Sequence, residues 1–460
     1  MIDNPKRAGL TVLLPEKHGK GTMTAVLPLL YAAAAISPFS IALGHLFWFL
    51  LLVVVSWIYF SSRDKRTFSP LFLSVVICSG YVVLSTIASA YAQDQGHMVL
   101  WKEAIRWVRA GPFAVLVVAL ALLVSNNWRK AWLYALTITV IATITEWLIT
   151  ADTQEFFAAL EGKGRYTSEV QPFIGSLKTG AIGLLLIGAV LYLPPQTRGR
   201  SAFYIVIAAG LGFLATATVA MGSRGLWIGA IASALVLVIL SVVDFWSLRA
   251  KRPSQCKSSL PGLVIVLTML VATFLALQGP IEKRWEHRGA EDQLITVITD
   301  DWGEWEEKLE RESVGIRALL FKAGMEAFLQ RPFFGYGPFG LEEIKRGAAR
   351  PHVLPQNISH FHNFFIEYGL RFGGLGILAF LFPVAIGIKA TAQNTKKDRL
   401  DLMIRSLMIS CLVLMLFYAV TDPYLERFKA YSFYSILFAP LFIYALEEGS
   451  VWKPSRKREE

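Results

Sequence analysis

The chain has 460 residues, 54% of them hydrophobic and only 17% charged, and apolar runs recur along almost its whole length. That balance excludes an ordinary soluble globular protein and defines an integral membrane protein. The formal charge of +11 does not point to nucleic acid, because Lys and Arg gather in short segments between alternate apolar runs, as in cytoplasmic loops. Three cysteines, with no Cys–Cys or Cys–His metal spacing, offer neither a disulfide framework nor a metal site.

In chain order, residues 1–22 carry Lys6, Arg7, Lys17 and Lys20 and are expected in the cytoplasm. The first apolar run, about 24–41, contains Ala32–Ala35, small residues that could mimic a signal-peptide cleavage site. The stretch ahead of them is short and a second run, about 43–60, follows at once, so a retained first membrane helix is expected. After a third run, about 70–92, the segment Leu100–Arg109 places Lys102, Arg106 and Arg109 on one helical face beside Trp101 and Trp107. It reads as an interfacial helix on the outer surface leading into the fourth run, about 110–125; for Lys102 and Arg109 snorkelling is explanation enough. The fifth to ninth runs lie at about 131–150, 172–193, 202–220, 225–244 and 261–279. Lys178 lies near the outer end of the sixth, and Arg224 occupies the few residues separating the seventh from the eighth.

Residues 280–361 then form one polar excursion with more acidic than basic groups. Inside it, 313–330 reads as a helix with Ser313 as N-cap, an apolar stripe of Ile316, Leu319, Leu320, Ala323, Ala327 and Phe328, and Pro332 as its stop. Gly335–Pro338 is a turn. Runs at about 372–391, 402–420 and 431–446 complete the chain. The expected fold is therefore an all-α polytopic membrane protein of about twelve transmembrane helices. It is one domain over 1–460, with both termini cytoplasmic and a large, partly helical periplasmic loop, 280–361, between helices nine and ten.

The stretch His360–Gly376 runs from the polar excursion into an apolar helix. It puts Asn363, Glu367 and Arg371 one turn apart and Gly369, Gly373 and Gly376 on a stripe suited to close helix approach. Ionisable groups at that depth are costly and usually serve a purpose. The outer rim collects Arg106, Lys178, Arg224, Arg317 and Arg371 beside His360 and His362. Guanidinium groups there suit a lipid-linked pyrophosphate, which they bind in bidentate fashion. An imidazole, which titrates near neutrality, can take the proton of an incoming hydroxyl. Pyrophosphate neutralised by cations leaves readily, so a base and two arginines suffice without a metal or other cofactor. His352 and His360 are lesser candidates for the base.

His362-Asn363, followed after nine residues by Gly373 and then by Gly376, resembles the signature of bacterial O-antigen ligases. Gly222-Ser223-Arg224-Gly225 is similar to the arginine turn of the wider ligase and polymerase superfamily. Gly315-Ile316-Arg317 with Gln330-Arg331-Pro332-Phe333-Phe334-Gly335-Tyr336-Gly337 resembles its large-loop motif. The resemblance spans about residues 200–376. It implies a glycosyltransferase in the inner membrane of a Gram-negative bacterium, moving polysaccharide from undecaprenyl pyrophosphate to a hydroxyl of lipid A–core at the periplasmic face. On it, His362 is the general base and Arg224 and Arg317 bind pyrophosphate; the rim reading adds Arg106, Lys178, Arg371, His360 and Asn363 as expected substrate contacts. An O-antigen polymerase and a protein O-oligosaccharyltransferase share the architecture. A transporter or flippase is the non-enzymatic alternative, and the largely apolar runs speak against it.

Overall fold

A computed structural model describes residues 20–62, 69–93, 97–161, 172–192, 200–220, 224–251, 290–309, 313–339, 360–393, 398–421 and 428–449, with scattered positions between 264 and 282 and at 344. The described residues form helices α1 (Lys20–Ile36), α2 (Ile41–Ser62), α3 (Pro70–Ala92), α4 (His97–Ala110), α5 (Pro112–Leu123), α6 (Trp128–Thr150), α7 (Thr153–Leu160) and α8 (Pro172–Tyr192). They continue with α9 (Arg200–Ala220), α10 (Arg224–Lys251), α11 (Ala290–Thr299), α12 (Trp305–Lys308), α13 (Ser313–Gln330), α14 (Phe364–Gln393), α15 (Arg399–Thr421) and α16 (Phe428–Gly449). The protein is an all-α polytopic membrane protein.

Local chemistry sets the helix starts. Ser69 caps α3 by accepting the Phe72 N–H at 3.2 Å, ahead of Pro70, whose missing N–H costs nothing in a first turn. Asn127 caps α6 through the Lys130 N–H at 3.2 Å. Asp152 caps α7 through the N–H groups of Gln154 and Glu155 at 2.9 and 3.1 Å. Between α4 and α5, Gly111 and Pro112 break the chain into a pair bent by 61°. The amphipathic helix expected over 100–109 is thus α4, and the fourth run is α5.

Seven described helices are long and apolar enough to cross a membrane, and the bent α4–α5 pair makes an eighth. Shorter apolar helices at Ala25–Ile36, Lys178–Tyr192 and Tyr204–Thr218 stand where the first, sixth and seventh runs are expected. The ninth run and residues 1–19 lie outside the described residues, apart from scattered positions of the former. α16 is buried almost all round and forms the axis of the bundle, packed by α5, α14 and α6. Outward-facing Phe49, Trp57, Leu84, Ile141, Ile239 and Phe382 are exposed, which suits lipid rather than water as the surrounding solvent.

Two polar clasps tie helix ends together. Arg129 holds Asp401 through two bonds, of 2.7 and 3.1 Å, and the Tyr444 hydroxyl donates to the same carboxylate at 3.0 Å. Asp244 accepts from Tyr192 at 2.9 Å and Ser406 at 3.2 Å and pairs with Arg405. In the polar excursion, α11 and α12 pack on α13 through Val297, Trp305, Leu309 and Leu319. At its surface Lys308 donates to Glu304 and Asp300, which hold its pKa above the ordinary lysine value.

Candidate functional site

The polar excursion rejoins the bundle through α13 and the start of α14. α13 carries the expected stripe: Leu320, Ala323 and Ala327 are buried against Phe361, Ile366 and Leu370, with Ile316 at the edge of the cluster. Gly324 makes this approach possible, since a Cβ there would stand 2.3 Å from the Ile366 side chain. The helix bearing Arg317, itself half-buried, therefore lies alongside the residue that precedes His362.

Beyond Pro332 the chain turns back onto α14 and forms a backbone latch. The Tyr336 and Gly337 N–H groups donate to the carbonyls of Leu370 and Arg371 at 2.6 and 2.8 Å. The Gly374 and Leu375 N–H groups donate to Pro332 and Phe333 at 2.7 and 3.3 Å. These bonds satisfy groups that a helix break leaves unpaired, and the break is at Gly373, with φ 66° and ψ −175°. The Tyr81 hydroxyl of α3 donates to the Phe372 carbonyl at 2.7 Å, and Ser89 donates to that of Tyr336 at 3.3 Å.

This corrects two readings of the sequence. The chain from His360 onward does not run unbroken into the membrane, and Gly369, Gly373 and Gly376 are not one uninterrupted helical stripe. Gly373 serves the break itself: a Cβ there would meet the Phe333 carbonyl oxygen at 2.1 Å. The missing ladder bonds at a break must go somewhere, and the turn after Pro332 takes them.

His362 has a left-handed backbone, φ 52°, which histidine adopts more readily than most non-glycine residues. The next residue, Asn363, is the N-cap: its Oδ1 accepts the Ile366 N–H at 3.0 Å. The helix begins only after both histidines, so His360 and His362 do not project to different sides. Their rings meet edge to face, with centroids 4.1 Å apart and planes at 71°. Both are half-buried.

Glu367 accepts the Phe361 N–H at 3.0 Å and pairs with Arg371, which also donates to the Glu367 carbonyl at 3.2 Å. The Arg371 guanidinium lies 4.7 Å over the Trp107 ring. Trp107 donates to Glu103 at 3.2 Å, and Glu103 also pairs with Arg106 at 3.2 Å. Arg371 is thus buried in a set of partners supplied by the protein, and its geometry is that of a brace between α14 and α4 rather than of an open substrate ligand. Asn363 is likewise committed to capping. Lys178 is enclosed rather than open to a substrate: it is 3% exposed and stands 4.0 Å from the buried Glu146. Arg109, expected to snorkel, instead meets His45 at 2.6 Å and lies 5.5 Å over the Tyr431 ring.

The structure therefore brings together His360, His362, Asn363, Arg371 and, through Glu103 and Trp107, Arg106. Arg317 stands on the adjoining helix and Lys178 elsewhere in the bundle. Arg224 begins α10, but its side chain lies outside the described residues, as does His352. Sequence reading missed Tyr81, Ser89, Glu103 and Trp107 as supports, since nothing local marks a residue that acts across two distant helices.

Fold and latch together define a membrane-embedded protein with a polar, histidine-bearing site where a long loop meets a broken helix. Residues 209–381 match the family model described as O-Antigen ligase. The matched segment contains Arg224, Arg317, the latch and His362. The chain is also similar to an uncharacterized protein of Haemophilus influenzae, 22% identical over 432 residues, covering 92% of this chain and 98% of that protein.

Proposed function

We propose that this protein is an O-antigen ligase, transferring polysaccharide from undecaprenyl pyrophosphate to a hydroxyl of lipid A–core at the periplasmic face of a Gram-negative inner membrane. The observation that carries the reading is the site at the start of α14. A histidine with a left-handed backbone stands there beside the arginine-bearing helix α13, inside the segment matched by the ligase family.

In this mechanism the His362 imidazole takes the proton of the acceptor hydroxyl as its oxygen attacks the anomeric carbon. The bond from that carbon to the pyrophosphate oxygen breaks, and its electron pair leaves with undecaprenyl pyrophosphate. Arg224 and Arg317 hold the pyrophosphate and offset the charge that grows on the leaving oxygen. Arg106, Arg371 and His360 shape the surroundings, and the reaction calls on no metal ion. Lipopolysaccharide from a strain lacking the protein tests the assignment. Lipid A–core without any polymer, with long lipid-linked chains accumulating, is the expected outcome, whereas single repeats on the core indicate a polymerase.

Lysine keeps the charge of arginine but not its planar fork. Arg224→Lys and Arg317→Lys should each lower transfer at least tenfold in a purified assay with lipid-linked donor. Full activity in both would reduce the two residues to interfacial anchors.

Both termini are cytoplasmic and the loop 280–361 is periplasmic on this reading, as the alternation of Lys- and Arg-rich loops requires. A membrane-impermeant thiol reagent added to intact cells lacking an outer-membrane barrier should label a cysteine placed at Asp301 and spare one at Lys396. The opposite pattern would put the site on the wrong side of the membrane for this substrate.

A further inference from the structure

An apolar cavity of about 170 Å³ lies between α5, α14, α15 and α16. Its floor is Phe438, Leu441 and Phe442, all buried, while Leu381 and Leu416 on its edge are 39% and 54% exposed. The cavity therefore opens sideways, toward the lipid-facing surface of the bundle. Phe364 and Phe365, which directly follow the His362-Asn363 pair, form part of the wall.

Among the described lining residues Arg109 alone is charged. It stands at the bend between α4 and α5, where Nη1 meets His45 Nδ1 at 2.6 Å and Nε donates to the Ile105 carbonyl at 3.1 Å. The Tyr431 ring supports the guanidinium face, and the Tyr431 hydroxyl lies 3.3 Å from the same His45 nitrogen. Among the described residues no carboxylate pairs with Arg109, and its Nη2 makes no hydrogen bond. Among the described residues, then, a charged group is fixed with no counter-ion at the polar end of a hydrocarbon-lined space.

We propose that this cavity holds one hydrocarbon chain of a phosphodiester-headed membrane lipid, with the phosphate on Arg109. Apolar cavities of about 150 Å³ stay dry and take up hydrocarbon, so the walls select a chain over water. A fixed guanidinium at the depth of the lipid headgroups selects an anion, through charge-assisted hydrogen bonds. One cation suits one phosphate: a pyrophosphate would call for a second, and the described lining residues supply none. The inference assumes nothing about glycosyl transfer. Its consequence is that a bilayer lipid packs against the first turn of α14, next to His362.

The test uses the full-length protein in nanodiscs containing phosphatidylglycerol with a diazirine in its acyl chain, irradiated and digested for peptide mapping. Adducts are expected on Met415, Leu416 and Phe438. They should fall about tenfold in Arg109→Gln, which removes the charge–phosphate bond, and equally in Ala419→Phe, which fills the space. Labelling of outward-facing Leu84 and Ile141 should stay constant in both variants, and unlabelled phosphatidylglycerol should displace the cavity signal. If Arg109→Gln does not run as a monodisperse species, Ala419→Phe and the displacement carry the test. Cavity labelling no stronger than at Leu84 and indifferent to Ala419→Phe overturns the proposal. Displacement by undecaprenyl pyrophosphate and not by phosphatidylglycerol overturns it as well, because the cavity would then belong to a pyrophosphate lipid.

Discussion

Replacing His362 by alanine should lower polysaccharide transfer by about 10²–10⁴-fold, the usual contribution of a positioned general base. The protein should still insert, fold and bind lipid-linked donor, because the Asn363 cap and the Glu367 contacts that build this corner use other atoms. His360→Ala should cost much less. The two rings touch, with centroids 4.1 Å apart, and on the proposed mechanism His360 only orients its neighbour. Near wild-type turnover in His362→Ala alongside a dead His360→Ala would exchange their roles. If neither change matters, the site lies elsewhere.

The second large effect should come from the latch. Gly337 has φ 78°, and a Cβ added to it would stand 2.1 Å from the Ser89 Cβ. Gly337→Ala therefore forces α3 away from the turn, and it strains a left-handed backbone by about 1–2 kcal/mol besides. The melting temperature of the detergent-solubilised protein should drop clearly, and transfer with it. Adding Ser89→Gly should return part of the stability by relieving the clash, but not all, because the backbone strain stays. No rescue would mean that the contact with α3 does not position this turn. Gly373→Ala has no such second-site remedy, since its Cβ would press on backbone, the Phe333 carbonyl.

Much of this protein is legible in its residues because a bilayer is a demanding solvent. Every backbone group inside it must be bonded within the helix, so apolar runs of sufficient length become helices and the loop charges order them. That reasoning found α2, α3, α6, α15 and α16 nearly to their ends and α10 except for its last two turns, and the apolar stripe with its proline stop located α13. His362, Arg224 and Arg317 could be singled out as candidates from spacing and resemblance alone, since a candidate's chemistry is written in its residue type.

Local pattern could not show which polar groups are already engaged. Arg371 and Lys178 look in sequence like rim cations offered to a substrate, yet each is buried against a carboxylate, Glu367 on the same helix and Glu146 on α6. The glycines read as a smooth packing stripe, and only the tertiary structure showed Gly373 breaking the helix and the turn after Pro332 taking up its hydrogen bonds. A helix break is decided by who is waiting to satisfy the freed groups. Here the partner comes from more than thirty residues earlier in the chain, and only the folded bundle brings the two together.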